Sequence, residues 1–203
     1  MHIGIDASRA ARAQRTGTEN YSLHLIRHLV KIAEERPGGH RFTIYFNQAP
    51  SPGLLPQGSG CQWRVMPFPR LWTHFRLSWE MRRHPPDVLF VPAHVLPLLH
   101  PQRSVVTIHD LGYRFFPDAY SSGELLYLRL STFFSARFAR HLLADSEATK
   151  QDLVAYLGVA PQKVTVVYPG VDERFSPQAA PQRLAQVRAR YGLPHDYLLH
   201  LGT

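Results

Sequence analysis

Cysteine is almost absent from this 203-residue chain: Cys61 stands alone. An internal disulfide is therefore excluded, as are a thiolate metal cluster and a paired-cysteine redox motif, which fits a reducing compartment. Acidic residues are also scarce, with 15 Asp and Glu against 23 Lys and Arg, for a formal net charge of +8. Such an excess could serve nucleic acid, an anionic membrane face or phosphorylated small molecules. The basic residues are mostly arginines set singly among acids and apolar residues, without the runs of a nucleic-acid tail. No apolar run reaches the roughly 18 residues of a membrane span. The opening MHIGID has no basic start and already carries an acid, unlike a secretory signal. A cytoplasmic protein is expected, and a peripheral contact with the inner face of the membrane is left open. Repeats and low-complexity tracts are missing as well.

What is present is a 44% hydrophobic composition, enough to bury the core of one domain plus a fragment of another. HIGID (2–6) reads as a strand. Beyond Gly17, Tyr21, Leu25, Leu29 and Ile32 recur at helical spacing, opposed by His24, Arg27, His28, Lys31 and Glu35, and Pro37, Gly38 and Gly39 end that helix. RFTIYF (41–46), CQWRVMPF (61–68), DVLFVP (87–92), SVVTIHD (104–110), LLADS (142–146) and KVTVVYPG (163–170) read as further strands, and 47–60 as a mobile loop. Helices are expected over 71–84, from the capping-box pair Ser121 and Glu124 to about His141, and over EATKQDLVAYLG, closed by Gly158. Strands alternating with helices in this way predict an α/β fold with a doubly wound parallel sheet.

In open parallel sheets ligands bind beyond the carboxyl ends of the strands. Three strand ends here are polar: Asp6 with the loop to Gly17, His109 with Asp110, and Asp145 with Ser146 and Glu147. A lone histidine in such a place is commonly structural, but three polar ends converging on one edge favour a site. His24 and His28 have metal-ligand spacing but lack the glutamate of HExxH, and they are assigned to the polar face of their helix.

Four segments, GTENYSLHLIRHL, VVTIHDLGYRFFP, LLADSEATKQDL and VTVVYPGVDERFSP, stand in this order at the junctions of strands and helices. Together they resemble the amino-terminal half of family 4, or group 1, retaining glycosyltransferases, whose GT-B fold pairs two Rossmann-like domains across a cleft. The resemblance covers residues 1–177, read as the acceptor-side domain. Residues 178–203 then read as a linker with a helix (PQRLAQVRARYGLP) and as DYLLHLGT, the opening strand of a second, nucleotide-sugar-binding domain, so that half of a longer enzyme is expected. The resemblance implies transfer of a sugar from a nucleotide diphosphate sugar to an acceptor hydroxyl, on a glycan, a lipid-linked sugar or a small molecule, with retention of configuration. The donor is a substrate; no cofactor and no metal are implied.

The resemblance also suggests roles. His109 lies near the transferred sugar and Asp110 orients its loop. Thr16, Gly17 and Thr18 face an anion at a helix start, where free N–H groups and the helix dipole favour negative charge. Thr-Gly-Thr stands where many members have Gly-Gly, and Gly17 reads equally as a glycine that the turn requires. Ser146 and Glu147 match the family's Ser-Glu, although a serine before a helix is above all an N-cap. Pro169 replaces the usual Asn of the hinge in YPGVD. Two rivals differ in kind. A dinucleotide-binding oxidoreductase domain would need G-x-G-x-x-G, which the loop ASRAARAQRTGTE lacks. A basic module without catalysis, for a nucleotide, nucleic acid or membrane, would use Arg129, Arg137 and Arg140 among the aromatics of LYLRLSTFFSARFARH. As a partner of the transferase reading, nucleic acid is not expected.

Overall fold

The short apolar runs pair as one parallel sheet in a computed structural model that describes residues 1–12, 14–35, 39–55, 60–172 and 180–200. Its strands are β1 (His2–Asp6), β2 (Arg41–Phe46), β3 (Cys61–Val65), β4 (Val88–Val91), β5 (Ser104–Ile108), β6 (His141–Ala144) and β7 (Val164–Val166), in the order β3-β2-β1-β4-β5-β6-β7. Parallel neighbours need long crossovers, and these carry the helices that cover the sheet. They are α1 (Gly17–Glu35), α2 (Ser78–Arg83), α3 (Gly112–Phe115), α4 (Ser122–Phe138) and α5 (Glu147–Leu157).

Alternation along the strands sorts the core into two faces. Ile5, Ile44 and Phe90 pack with Leu23, Ile26 and Val30 of α1 on one face. Tyr45, Leu89, Val91, Val106 and Ile108 pack on the other with Leu77, Met81 of α2, Ala136 of α4 and Leu153 of α5. Gly4 permits the close approach of neighbours to β1, since a Cβ there would meet both Tyr45 Cε2 and Pro86 Cγ at 2.8 Å. The chain runs outward from β1 through β2 to β3, then returns to β4 and runs the other way to β7. The reversal between β1 and β4 is a topological switch point, the place where such sheets leave a crevice.

Several elements differ from expectation for physical reasons. The buried stripe of α1 is Leu23, Ile26 and Val30, joined by Glu19 and Ser22; Leu25 and Leu29 flank it, and Ile32 is 50% exposed. The segment 71–84 starts with a π-helical turn, Thr73–Leu77, before α2, and Leu71 ahead of it has φ 52°. Within 47–60, Leu54 and Leu55 are buried and the Leu54 carbonyl accepts from Arg27 Nε at 2.9 Å, so this stretch is anchored on α1; residues 56–59 lie outside the described ones. Strand β5 stops at Ile108, because the His109 N–H turns out of the ladder to a side chain. Strand β7 ends at Val166, three residues before Pro169, which has no N–H to extend a ladder. Arg140 lies beyond the end of α4, where its N–H bonds the Ser104 carbonyl. The Ser121–Glu124 capping box is present, and Gly158 closes α5 with φ 63°.

The sheet and its helices form one unit, Met1–Pro169, and Gly170–Thr203 forms a second. The expected boundary at 177/178 falls on residues outside the described ones, as do Pro37 and Gly38. The second unit contains α6 (Pro181–Tyr191), which starts with a proline and is closed by Gly192 at φ 58°. Residues 196–200, the described part of the expected final strand, adopt no strand. A strand forms only against a neighbour that takes up its backbone N–H and C=O groups.

Candidate functional site

The carboxyl ends of β1, β4, β5 and β6 bring four polar groups to the crevice side of the switch point. His109, the first residue after β5, is held from every direction. Its N–H donates to Nε2 of His94 (3.1 Å), and its carbonyl accepts from the Thr149 hydroxyl in the first turn of α5 (2.9 Å). Nδ1 of the ring lies 2.5 Å from Oδ2 of Asp145, the residue after β6, and Nε2 lies 3.0 Å from the carbonyl of Pro92, after β4. The Tyr21 ring of α1 meets the imidazole edge-on at 4.9 Å, and the His94 ring stacks on it at 5.1 Å. The other oxygen of Asp145, Oδ1, is enclosed and takes no hydrogen bond from the described residues.

His94 was not apparent in the sequence. It sits in the PAHV turn after β4 with φ 29°, a left-handed conformation that an L side chain adopts at a cost. Burial, followed by the neighbouring His109, pushes its pKa down to about 4. The available signal was positional: His94 follows one apolar run as His109 follows the next.

The remaining expected site residues divide into two groups. Asp110 turns its own loop, since its Oδ1 accepts from the Gly112 N–H at 2.7 Å. Ser146 caps α5 by accepting from the Thr149 N–H at 3.1 Å, and so supports His109 through Thr149. Glu147 is exposed in the first turn of α5.

At the start of α1 the Thr16 hydroxyl and N–H both donate to Oε2 of Glu19. Glu19 also pairs with Arg9 (3.3 Å) and Arg12 (3.6 Å). Burial opposes its charge, but the Thr16 bonds and the Arg9 guanidinium outweigh it and hold the carboxyl below its ordinary range. The helix start thus already faces one internal carboxylate, balanced by two half-exposed guanidinium groups. Gly17 has an ordinary φ and open space around its missing Cβ, so no turn or neighbour requires a glycine there. Asp6, at the end of β1, is buried and accepts from the Ser8 N–H at 2.9 Å; burial raises its pKa.

The sequence profile described as Glycosyltransferase Family 4 matches residues 15–175. A D-inositol 3-phosphate glycosyltransferase of Streptomyces bingchenggensis is 47% identical over 64 residues, 31% of this chain and 13% of that protein. D-inositol 3-phosphate glycosyltransferase 1 of Catenulispora acidiphila is 44% identical over 59 residues, 29% and 13% of the two chains. Among solved structures, sucrose-phosphate synthase from Thermosynechococcus elongatus aligns with TM-score 0.63 at 14% identity, over 97% of this chain and 53% of its own. WaaG, a glycosyltransferase involved in lipopolysaccharide biosynthesis, aligns with TM-score 0.60 at 13% identity, over 96% and 52%. These likenesses show the GT-B glycosyltransferase fold, and the chain spans about half the length of the solved structures it matches.

Proposed function

The chain belongs to glycosyltransferase family 4, and we propose that it forms the acceptor-side half of an enzyme that moves a sugar from a nucleotide diphosphate sugar to an acceptor hydroxyl with retention of configuration. The observation that carries this reading is the convergence of His94, His109 and Asp145 from three strand ends at the switch point, where a ligand crevice is expected. In this reading His109 bears on the transferred sugar, while Thr16, Gly17 and Thr18 border the donor diphosphate with Arg9 and Arg12 behind them. Ser146 and Glu147 stand at the next strand end. The donor is a substrate, and as the resemblance to GT-B enzymes implies, the reaction uses no metal or cofactor.

The relatives' named substrate, D-inositol 3-phosphate, is the first acceptor to try, and the excess of basic residues suits a phosphorylated one. The test incubates the longer polypeptide with nucleotide sugars and this acceptor, then reads the anomeric configuration of the product by NMR. A product with the donor's configuration is expected. Inversion would remove the retaining assignment, and binding of nucleotide without transfer would favour the non-catalytic module.

A second contact is favoured by α4. Its fully buried residues are small, Ser131, Thr132, Ser135 and Ala136, whereas Leu126, Leu130 and Phe133 form an exposed stripe at helical spacing with Arg129 and Arg137 close by. Such a face suits peripheral attachment to an anionic bilayer on its cytoplasmic side. Cosedimentation with phosphatidylglycerol vesicles should fall when Leu130 and Phe133 become Glu, and equal sedimentation of both forms would end this reading.

A further inference from the structure

The two ring nitrogens of His109 both face oxygen acceptors: Oδ2 of Asp145 at 2.5 Å and the Pro92 carbonyl at 3.0 Å. A neutral imidazole carries one N–H and one lone pair. In either tautomer its lone pair would point at one of these oxygens. The carbonyl has no proton to offer, and a proton shared between carboxylate and imidazole resides on the imidazole, the stronger base. A ring bearing N–H on both nitrogens makes both bonds.

His94 supplies the complementary half. Its Nε2 accepts the His109 N–H, so that nitrogen carries a lone pair, and the neutral ring stacks on that of His109 with 29° between the planes. The low pKa of His94, about 4, agrees with this division. The other groups facing His109 are Tyr21 from α1, edge-on, and Asp110 in the next residue, whose carboxylate is turned to Gly112. Arg9, from the loop after β1, acts on His94.

The geometry points to His109 as a fixed imidazolium and to Asp145 as the positioning residue that holds it in that form. A ring already protonated on both nitrogens does not take a proton from an acceptor hydroxyl. Its charge is balanced by Asp145 and both N–H groups are engaged, so the pair stands at the switch point as a fixed, preorganised dipole rather than as a base. A catalytic use of this dipole rests on the transfer reaction proposed above; the protonation pattern does not.

The pattern is read directly by labelling the chain with 15N-histidine and recording long-range 1H–15N correlations at neutral pH, with His109 assigned from its loss in His109→Gln. Both nitrogens should resonate as N–H. In Asp145→Asn one of them should move to the lone-pair range, and Asp145→Glu should restore it. A lone-pair shift at either nitrogen of His109 in the unaltered chain overturns the proposal, and that spectrum decides even if a variant fails to fold. Once transfer by the longer enzyme is established, Asp145→Asn should lower kcat by about 10- to 100-fold with acceptor KM little changed. An unchanged kcat would overturn the catalytic use of the dipole whatever the spectrum shows.

Discussion

The Asp145 carboxylate, after β6, and the His109 imidazole, after β5, lie 2.5 Å apart because their strands are neighbours in parallel register. Each side chain is the other's hydrogen-bond partner, so truncating one leaves the other without it. His109→Ala should therefore cost about 1 to 3 kcal/mol of stability and, for the transfer reaction proposed above, about 10²- to 10³-fold in kcat. Thermal melts and turnover of the same preparation check both. A destabilised enzyme with normal kcat would confine His109 to a structural role.

His94 ties stability to pH. Its pKa is about 4 in the fold against an ordinary 6.5, so the unfolded chain binds the proton more readily. The native state therefore has its full stability above pH 6.5 and loses it as pH falls from there toward 4, by at most about 3 kcal/mol. His94→Asn removes the titration and suits the left-handed backbone. Urea midpoints across this window should slope less for the variant; an identical slope would assign the acid limb to other groups.

Two glycines should respond in opposite ways. Gly4→Ala forces a Cβ against two stiff rings and should destabilise by about 1 to 3 kcal/mol. Gly17→Ala enters open space at a helix start, so the melting temperature should hold or rise. If donor phosphate passes close to that helix start, the same variant should weaken nucleotide-sugar binding in a titration. Unchanged affinity would free Gly17 from the donor site.

Glu80 of α2, with a side chain only 3% exposed, gathers Arg64 (2.6 Å), His84 (3.0 Å) and Arg76 (3.3 Å), and so fastens α2 to β3. Glu80→Ala should cost about 2 kcal/mol, since the three partners are partly exposed and regain water. Arg64→Ala should cost less, because Glu80 keeps two partners. Denaturant titrations that reversed this order would contradict the shared role of Glu80.

Much of the fold was legible in particular residues. RFTIYF is β2 to the residue, and Ser121 with Glu124 marked the start of α4, because strand propensity and capping act locally. The buried stripe of α1 was misread because apolarity alone selects Tyr21 and Ile32, whereas packing on the sheet selects Leu23, Ile26 and Val30 and encloses the charged Glu19. The π-helical turn before α2 carries no comparable mark. At the site, the polar strand ends could be read, but not which strands stand side by side. The Asp145–His109 pair depends on β5 adjoining β6, and His94 on β4 adjoining β5. Those adjacencies are properties of the whole sheet.

The bonds that enclose His109 also set an order of events during synthesis. Its N–H and Nε2 find partners 15 and 17 residues upstream, at His94 and Pro92, groups already made when the histidine is added. Asp145 and Thr149 follow 36 and 40 residues later. Until those two residues have been made, Nδ1 and the carbonyl of His109 lack the partners they have in the fold. The enclosure closes only when the first turn of α5 has emerged and β6 has joined the sheet.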